Sequence, residues 1–283
     1  MNVLVIGSGG MLGQVVFRYL KNQGYQVSGI TRTKAFPGMF RLDATDEKSL
    51  GQFLERRPVD AIINCAALLL KPSEERKSEA VRLNAGLPHF LDAYCRRDGA
   101  YLIQVSTDAV FSGLRGGYQE SDRSDADTFY GRSKFLGEVS DRQALTVRSG
   151  FWGVDMNSEG SGLLQWFLRQ KDSVSGYAKA VFNGVSNLEF ARFADCALQN
   201  RWTGVYHLCA AKPISKYEFL LLANRVFSKG VDIVETKDFS IDRSLQCTRT
   251  DIPYQQKTFE QMMKELSEWQ SANRNDFCFV NKE

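Results

Sequence analysis

The chain has 283 residues, in which 36 lysines and arginines against 33 acids leave a formal charge of +3 with the signs interleaved. A chain of this length removes roughly three quarters of its extended surface from water, so its core needs no disulfide or metal staple. The interleaved charge excludes a basic nucleic-acid face or anionic-membrane patch, and no apolar run approaches the roughly 18 residues of a membrane span.

Val3-Leu4-Val5-Ile6 is a short apolar run ended by glycines, which predicts a strand over 2–6 buried on both faces. Gly7-Ser8-Gly9-Gly10-Met11-Leu12-Gly13 follows and leads into an amphipathic helix over 11–23, the strand-turn-helix context in which free N–H groups and a helix dipole receive a pyrophosphate. A strand over 25–30 ends in Thr31-Arg32-Thr33-Lys34, with no acid for ribose hydroxyls and an Arg suited to a 2′-phosphate, so NADP(H) is the expected cofactor. Asp43 either accepts from the adenine amino group or is an acid at the start of the helix expected over 46–57. A strand over 60–65 ends in Asn64-Cys65-Ala66-Ala67, whose small side chains let a cofactor lie against backbone. A helix over 74–97 starts with the solvated cluster Glu74-Glu75-Arg76-Lys77 and holds His89, read as structural like His207.

A strand over 101–106 carries Ser106-Thr107-Asp108 at its end, a helix over 129–140 carries Tyr130 and Lys134, and a strand over 144–149 follows. Beyond 150 the pattern loosens to helices near 160–171, 188–200, 215–228 and 258–274, strands at 204–209 and 231–236, and a Gly- and Asn-containing segment at 175–187. This alternation predicts an α/β, Rossmann-type doubly wound parallel sheet over 1–150, to which some later segments are free to return, with 151–283 forming mainly a smaller C-terminal substrate lobe. Six cysteines (65, 95, 196, 209, 247, 278) form no Cys-x-x-Cys pair, and only Cys209 has a histidine nearby, His207. Free thiols, no metal and a cytoplasmic, unexported protein are expected.

Tyr130 and Lys134 are four apart and share a helix face. An ammonium beside a phenol lowers its pKa, so Tyr130 is expected to protonate an alkoxide formed by hydride transfer to a carbonyl, with Thr107 holding the carbonyl oxygen. Such a spacing also arises by chance; its place after one buried strand and before another carries the signal.

The glycine turn, Asn64-Cys65-Ala66-Ala67, Ser106-Thr107-Asp108-Ala109-Val110-Phe111-Ser112-Gly113, Gly117-Tyr118-Gln119-Glu120-Ser121-Asp122, Tyr130-Gly131-Arg132-Ser133-Lys134 and Gly204-Val205-Tyr206-His207-Leu208 resemble the extended short-chain dehydrogenase/reductases, nearest to the dTDP-4-dehydrorhamnose reductase-like group that reduces nucleotide-linked 4-keto sugars. The resemblance implies Thr107, Tyr130 and Lys134 as the catalytic set. It implies a cofactor set of Gly7, Gly9, Gly10, Met11, Leu12, Gly13, Arg32, Asp43, Ala44, Cys65, Ala66, Ala67, Asn84 and Ser106 together with Tyr130 and Lys134. Asn84 is expected to tie the central helix to the active site.

Arg148-Ser149-Gly150-Phe151-Trp152 resembles a substrate-lining segment and Asp242-Arg243-Ser244-Leu245 a closing one, so Thr107, Phe151 and Arg243 are the substrate candidates. Core packing is the alternative for Phe151, and a surface loop position the alternative for Arg243. Ala109 and Leu68-Leu69-Leu70-Lys71-Pro72 depart from the group's usual Tyr and acidic segment, which leaves the sugar open. The implied partner is a nucleotide sugar; a homodimer is left open, since no residue pattern specifies subunit number. A nucleotide-sugar epimerase or dehydratase and a non-catalytic NADP-binding regulatory subunit are the competing readings.

Overall fold

Val3, Leu4, Val5 and Ile6 are each at most 1% exposed, as a strand covered on both faces requires. The computed structural model describes residues 1–33, 36–140, 142–155, 160 and 162–273, so Lys34 and Cys278 lie outside the described residues. The first strands are β1 (Asn2–Ile6), β2 (Gln26–Thr31), β3 (Met39–Arg41), β4 (Ala61–Asn64), β5 (Tyr101–Val105) and β6 (Ala144–Arg148). After them come β7 (Phe151–Trp152), β8 (Val174–Phe182), β9 (Val185–Ser186), β10 (Gly204–His207), β11 (Ile214–Ser215) and β12 (Ile233–Asp242). The helices are α1 (Met11–Asn22), α2 (Glu47–Arg56), α3 (Leu70–Glu75), α4 (Lys77–Ala80), α5 (Leu87–Asp98), α6 (Phe129–Leu136), α7 (Leu163–Leu168), α8 (Asn187–Asn200), α9 (Lys216–Val226) and α10 (Phe259–Ala272).

Seven strands form one sheet in the order β10-β6-β5-β4-β1-β2-β3, and every pairing in it is parallel. Alternate residues of β1 face opposite layers. Val3 and Val5 pack with Val15, Val16 and Leu20 of α1 and with Ala191 and Ala194 of α8. Leu4 and Ile6 pack with Leu50 and Leu54 of α2 and with Leu91 and Cys95 of α5. Helices therefore cover both faces, as the doubly wound reading expects. A second sheet has the order β11-β8-β12, and Trp152, Phe219 and Phe259 stack between its helices.

The strand at 204–209 returns to the first half, as the domain division allowed for later segments: as β10 it pairs with β6 at the edge of the main sheet. Two expectations change. The segment 175–187 holds all but the first residue of the nine-residue strand β8, hidden in the sequence because Gly176 and Ala180 occupy inward positions that aromatic or branched residues would usually mark. A Cβ at Gly176 would lie 2.7 Å from the Tyr217 ring, so the position must stay small. The single helix expected over 74–97 is divided into α3, α4, a π-helical turn over Val81–Gly86, and α5. Pro88 has no N–H to bond the Asn84 carbonyl four residues back, so the turn widens there.

His207 is fully buried in β10, with Nδ1 3.1 Å from the Tyr118 carbonyl oxygen and Nε2 3.3 Å from Arg148 Nη1. Burial pushes its pKa down to about 4 from 6.5, with the Arg148 charge acting in the same direction and Glu120 opposing. The folded imidazole thus stays neutral where the unfolded one takes a proton, and stability falls as pH drops through that window. Unfolding free energy, followed by urea titration between pH 6.5 and 4, should decline by roughly 1–3 kcal/mol, and His207→Gln should remove much of the slope. Equal slopes in both proteins would contradict the assignment.

Candidate active site

At the carboxyl ends of β1, β2 and β4 lies a cavity of about 320 Å³ bounded by Gly7, Gly9, Gly10, Arg32, Asp43, Ala44, Cys65, Ala66 and Ala67, all nine among the expected cofactor residues. Gly7 has φ +78°, and a Cβ there would come within 2.8 Å of the Ala66 amide nitrogen. A Cβ at Gly13 would overlap the Gly7 carbonyl. Only glycine permits this closeness of turn, helix and β4. The N-cap of α1 is Gly10, with no side-chain cap and no acid in the first turn, so the positive helix end stays open to an anion. The cradle fits a dinucleotide pyrophosphate.

Met11, Leu12 and Gly13 support this turn from α1. Leu12 is 8% exposed in the core, and the Met11 carbonyl accepts from Asn187 Nδ2 at 3.1 Å. The N-cap of α2 is Asp46, while Asp43 accepts from Thr45 at 2.8 and 2.9 Å and lines the cavity. Leu83 and Asp155 also line it, and sequence reasoning does not find them. Neither carries a local signal, since Leu83 reads as helix packing and Asp155 comes from the far side of the sheet's last crossovers.

The reactive end is built by β5 and α6. Thr128 caps α6 by accepting from the Gly131 amide at 3.1 Å, and a Cβ at Gly131 would overlap the Ala109 carbonyl. The helix is thereby pressed onto the Ser106–Val110 turn. Thr107 Oγ1 accepts from the Ala109 amide and donates to Asp108 Oδ1, both at 3.1 Å. Asn84 clamps the assembly as expected of a tie: its Oδ1 accepts from the Leu68 amide at 2.8 Å and its Nδ2 donates to Ser133 Oγ at 3.0 Å.

Lys134 is only 2% exposed, and its Nζ donates to the Val105 carbonyl at 2.6 Å. Burial pushes its pKa down to about 8, opposed by Glu138 and Cys65. Its bond to Val105 puts the ammonium at the end of β5, beside the end of β4 where Cys65 lines the cavity. Burial pushes the Tyr130 phenol up to about 12; Asp108 adds to this, while Thr107 and Arg243 pull it back. This departs from the expectation that Lys134 acidifies Tyr130: burial dominates, and the cation that draws the phenol's pKa back is Arg243 rather than Lys134.

Arg243 is therefore brought to the reactive end, with Nη2 3.7 Å from Asp127 Oδ1 and a buried Nε that has no hydrogen-bond partner. Lys216, the first residue of α9, faces the same Asp108 carboxyl and is not found from sequence, because a lysine after a capping serine reads as a solvated helix start. Phe151 packs edge-on against Phe190 at 5.2 Å, the core-packing alternative. Arg148 does not line a substrate surface: it is 3% exposed and grips Glu138 through Nε at 2.8 Å and Nη2 at 2.7 Å. Ser106 donates to the same Glu138 at 2.6 Å. Among the described residues no group of three or more His, Cys, Asp or Glu is arranged to hold a metal, and no helix is long and apolar enough to cross a membrane.

The profile of the RmlD substrate binding domain matches residues 1–272. The probable low-salt glycan biosynthesis reductase Agl14 of Haloferax volcanii is 35% identical over 160 residues, a match that spans about half of either protein, 53% of each. Methionine adenosyltransferase 2 subunit beta of Danio rerio is 28% identical over 76% of this chain and 71% of its own length. The crystal structure of dTDP-4-dehydrorhamnose reductase from Bacillus anthracis in complex with NADP superposes with a TM-score of 0.83 over 95% of this chain and 99% of that one, at 20% identity, a likeness of fold. With the profile spanning nearly the whole chain, the protein belongs to the RmlD substrate-binding-domain family, the dTDP-4-dehydrorhamnose reductase-like group.

Proposed function

We propose that the protein is an NADP-dependent oxidoreductase that reduces the 4-keto group of a nucleotide-linked sugar. The observation that carries the reading is the adjacency of the two halves of the site: Lys134 Nζ donates to the Val105 carbonyl at the end of β5, the neighbour of β4, after whose end Cys65 lines the cavity, and Tyr130 lies one helical turn before Lys134 on α6. NADPH, when bound, supplies the hydride. Thr107 holds the ketone oxygen, Tyr130 gives its proton to the oxygen as it becomes an alkoxide, and Lys134 fixes the α6 end of the cavity. Arg243 and Lys216 supply positive charge suited to the substrate's diphosphate. Residues 151–283 are read mainly as the substrate lobe packed on a nucleotide-binding domain over residues 1–150, with β10 and α8 returning to that domain.

The regulatory-subunit reading is favoured by the likeness to the methionine adenosyltransferase subunit. A full Thr107, Tyr130 and Lys134 set beside the cavity argues for turnover instead. Product analysis separates them: incubation with NADPH and a dTDP-linked 4-keto sugar should yield the alcohol, heavier by two hydrogens, whereas unchanged ketone over a panel of nucleotide carriers would leave a binder. For the cofactor, Arg32→Ala should weaken NADPH binding about tenfold or more, as expected for loss of a charged phosphate contact, with little change for NADH. Equal losses for both in a fluorescence titration would remove Arg32 from 2′-phosphate recognition.

A further inference from the structure

At the end of β2 the sequence offers Arg32 and no acid, yet the fold brings one from 47 residues away. Arg32 Nη1 donates to Glu79 Oε1 at 2.7 Å, and Arg76 Nη1 donates to the other oxygen, Oε2, also at 2.7 Å. Arg32 lines the cavity, so the carboxylate sits one guanidinium away from whatever Arg32 would bind there. All three side chains meet water: 56% of Arg32, 48% of Arg76 and 29% of Glu79 is exposed. Ion pairs this exposed are weak and exchange readily.

We propose that Glu79 is a cofactor-discriminating residue that lowers the protein's preference for NADPH over NADH, and that Arg76 offsets it by drawing the carboxylate away. The inference rests on the reading of the cavity as an NADP(H) site. A 2′-phosphate carries nearly two negative charges at neutral pH and accepts a fork-shaped guanidinium on two oxygens, so it displaces a single carboxylate from Arg32. The displaced Glu79 stays nearby and repels the phosphate unless its charge is held elsewhere, and Arg76 already grips its second oxygen. NADH brings no phosphate to this point, so Arg32 keeps Glu79 and nothing is displaced. Cofactor choice at this position is then set by three side chains drawn from two stretches of the chain.

The test is a fluorescence titration of NADPH and NADH on the full chain and its variants, with 2′,5′-ADP as a competitor that isolates the phosphate. Glu79→Gln keeps the shape and removes the charge. It should tighten NADPH and 2′,5′-ADP by about fivefold to tenfold, the size expected for removing one charge a few Å from a phosphate at a wet surface, with NADH nearly unchanged. Arg76→Gln should weaken NADPH relative to NADH, and the effect of Glu79→Gln should shrink as salt is raised. A protein that binds NADPH normally, but whose NADPH-to-NADH ratio is unmoved or falls in Glu79→Gln, overturns this proposal alone. A wild-type protein that binds neither NADPH nor 2′,5′-ADP overturns both it and the cofactor reading.

Discussion

Tyr130→Phe should lower ketone reduction by about 10²–10⁴-fold while NADPH affinity stays nearly constant, the range expected when a positioned general acid is removed. With its pKa near 12, the phenol is protonated throughout the neutral range and enters the reaction as a donor. That polarity suits reduction. The proton is needed only as charge develops on the ketone oxygen, so its loss falls on kcat more than on substrate affinity. The variant keeps the ring and removes only the hydroxyl, so melting temperature should change little. Steady-state kinetics beside a thermal melt separates chemistry from folding. Unchanged turnover would remove Tyr130 from the mechanism, and the Thr107–Asp108–Arg243 cluster would then have to supply the proton.

Arg148→Ala should cost about 3–5 kcal/mol of stability, because it strands the Glu138 carboxylate in the interior. The two side chains are 4% and 7% exposed, and the guanidinium holds the carboxylate through two nitrogens. The single substitution leaves Glu138 with Ser106 Oγ as its remaining short contact. Replacing both partners, Arg148→Met with Glu138→Met, should cost much less, since an apolar pair of similar volume needs no solvation. Urea midpoints at unchanged m-value report the difference. A single-variant loss below about 1 kcal/mol, the scale of an exposed pair, would contradict the buried, desolvated description. Because Glu138 also opposes the lowering of the Lys134 pKa, Glu138→Met should carry that pKa lower still.

The β1 strand, the glycine turn and α1 are legible in the sequence because each depends on local pattern: an apolar run, three glycines with steric reasons, and a 3.6-residue stripe. The parallel strands β2, β4, β5 and β6 follow for the same reason, each a short buried run between turn residues. Tyr130 and Lys134 are legible as neighbours, since four residues on a helix fix a shared face. Which carbonyl or carboxylate receives the lysine's charge is not legible. Val105, Glu138 and Cys65 come to it from different stretches of the chain, and no spacing encodes that meeting. Arg148 misleads for the same reason, because its motif is local while its partner Glu138 lies in the segment after α6 that Thr146 of β6 holds through Val139. Glu79, Lys216 and Asp155 each look like solvated surface charges until the crossovers close over the carboxyl edge of the sheet. The division of the 74–97 helix is signalled only by Pro88, and the strand β8 by nothing stronger than alternation interrupted by glycine and alanine.

The central claim is that this site turns over a 4-keto sugar rather than merely holding a dinucleotide. The most direct measurement follows NADPH absorbance as the purified chain meets dTDP-, UDP-, GDP- and CDP-linked 4-keto sugars in turn. The account predicts consumption of NADPH with at least one nucleotide class, lost in Tyr130→Phe although that variant still binds the cofactor. Firm NADPH binding with no consumption against any member of the panel would contradict it.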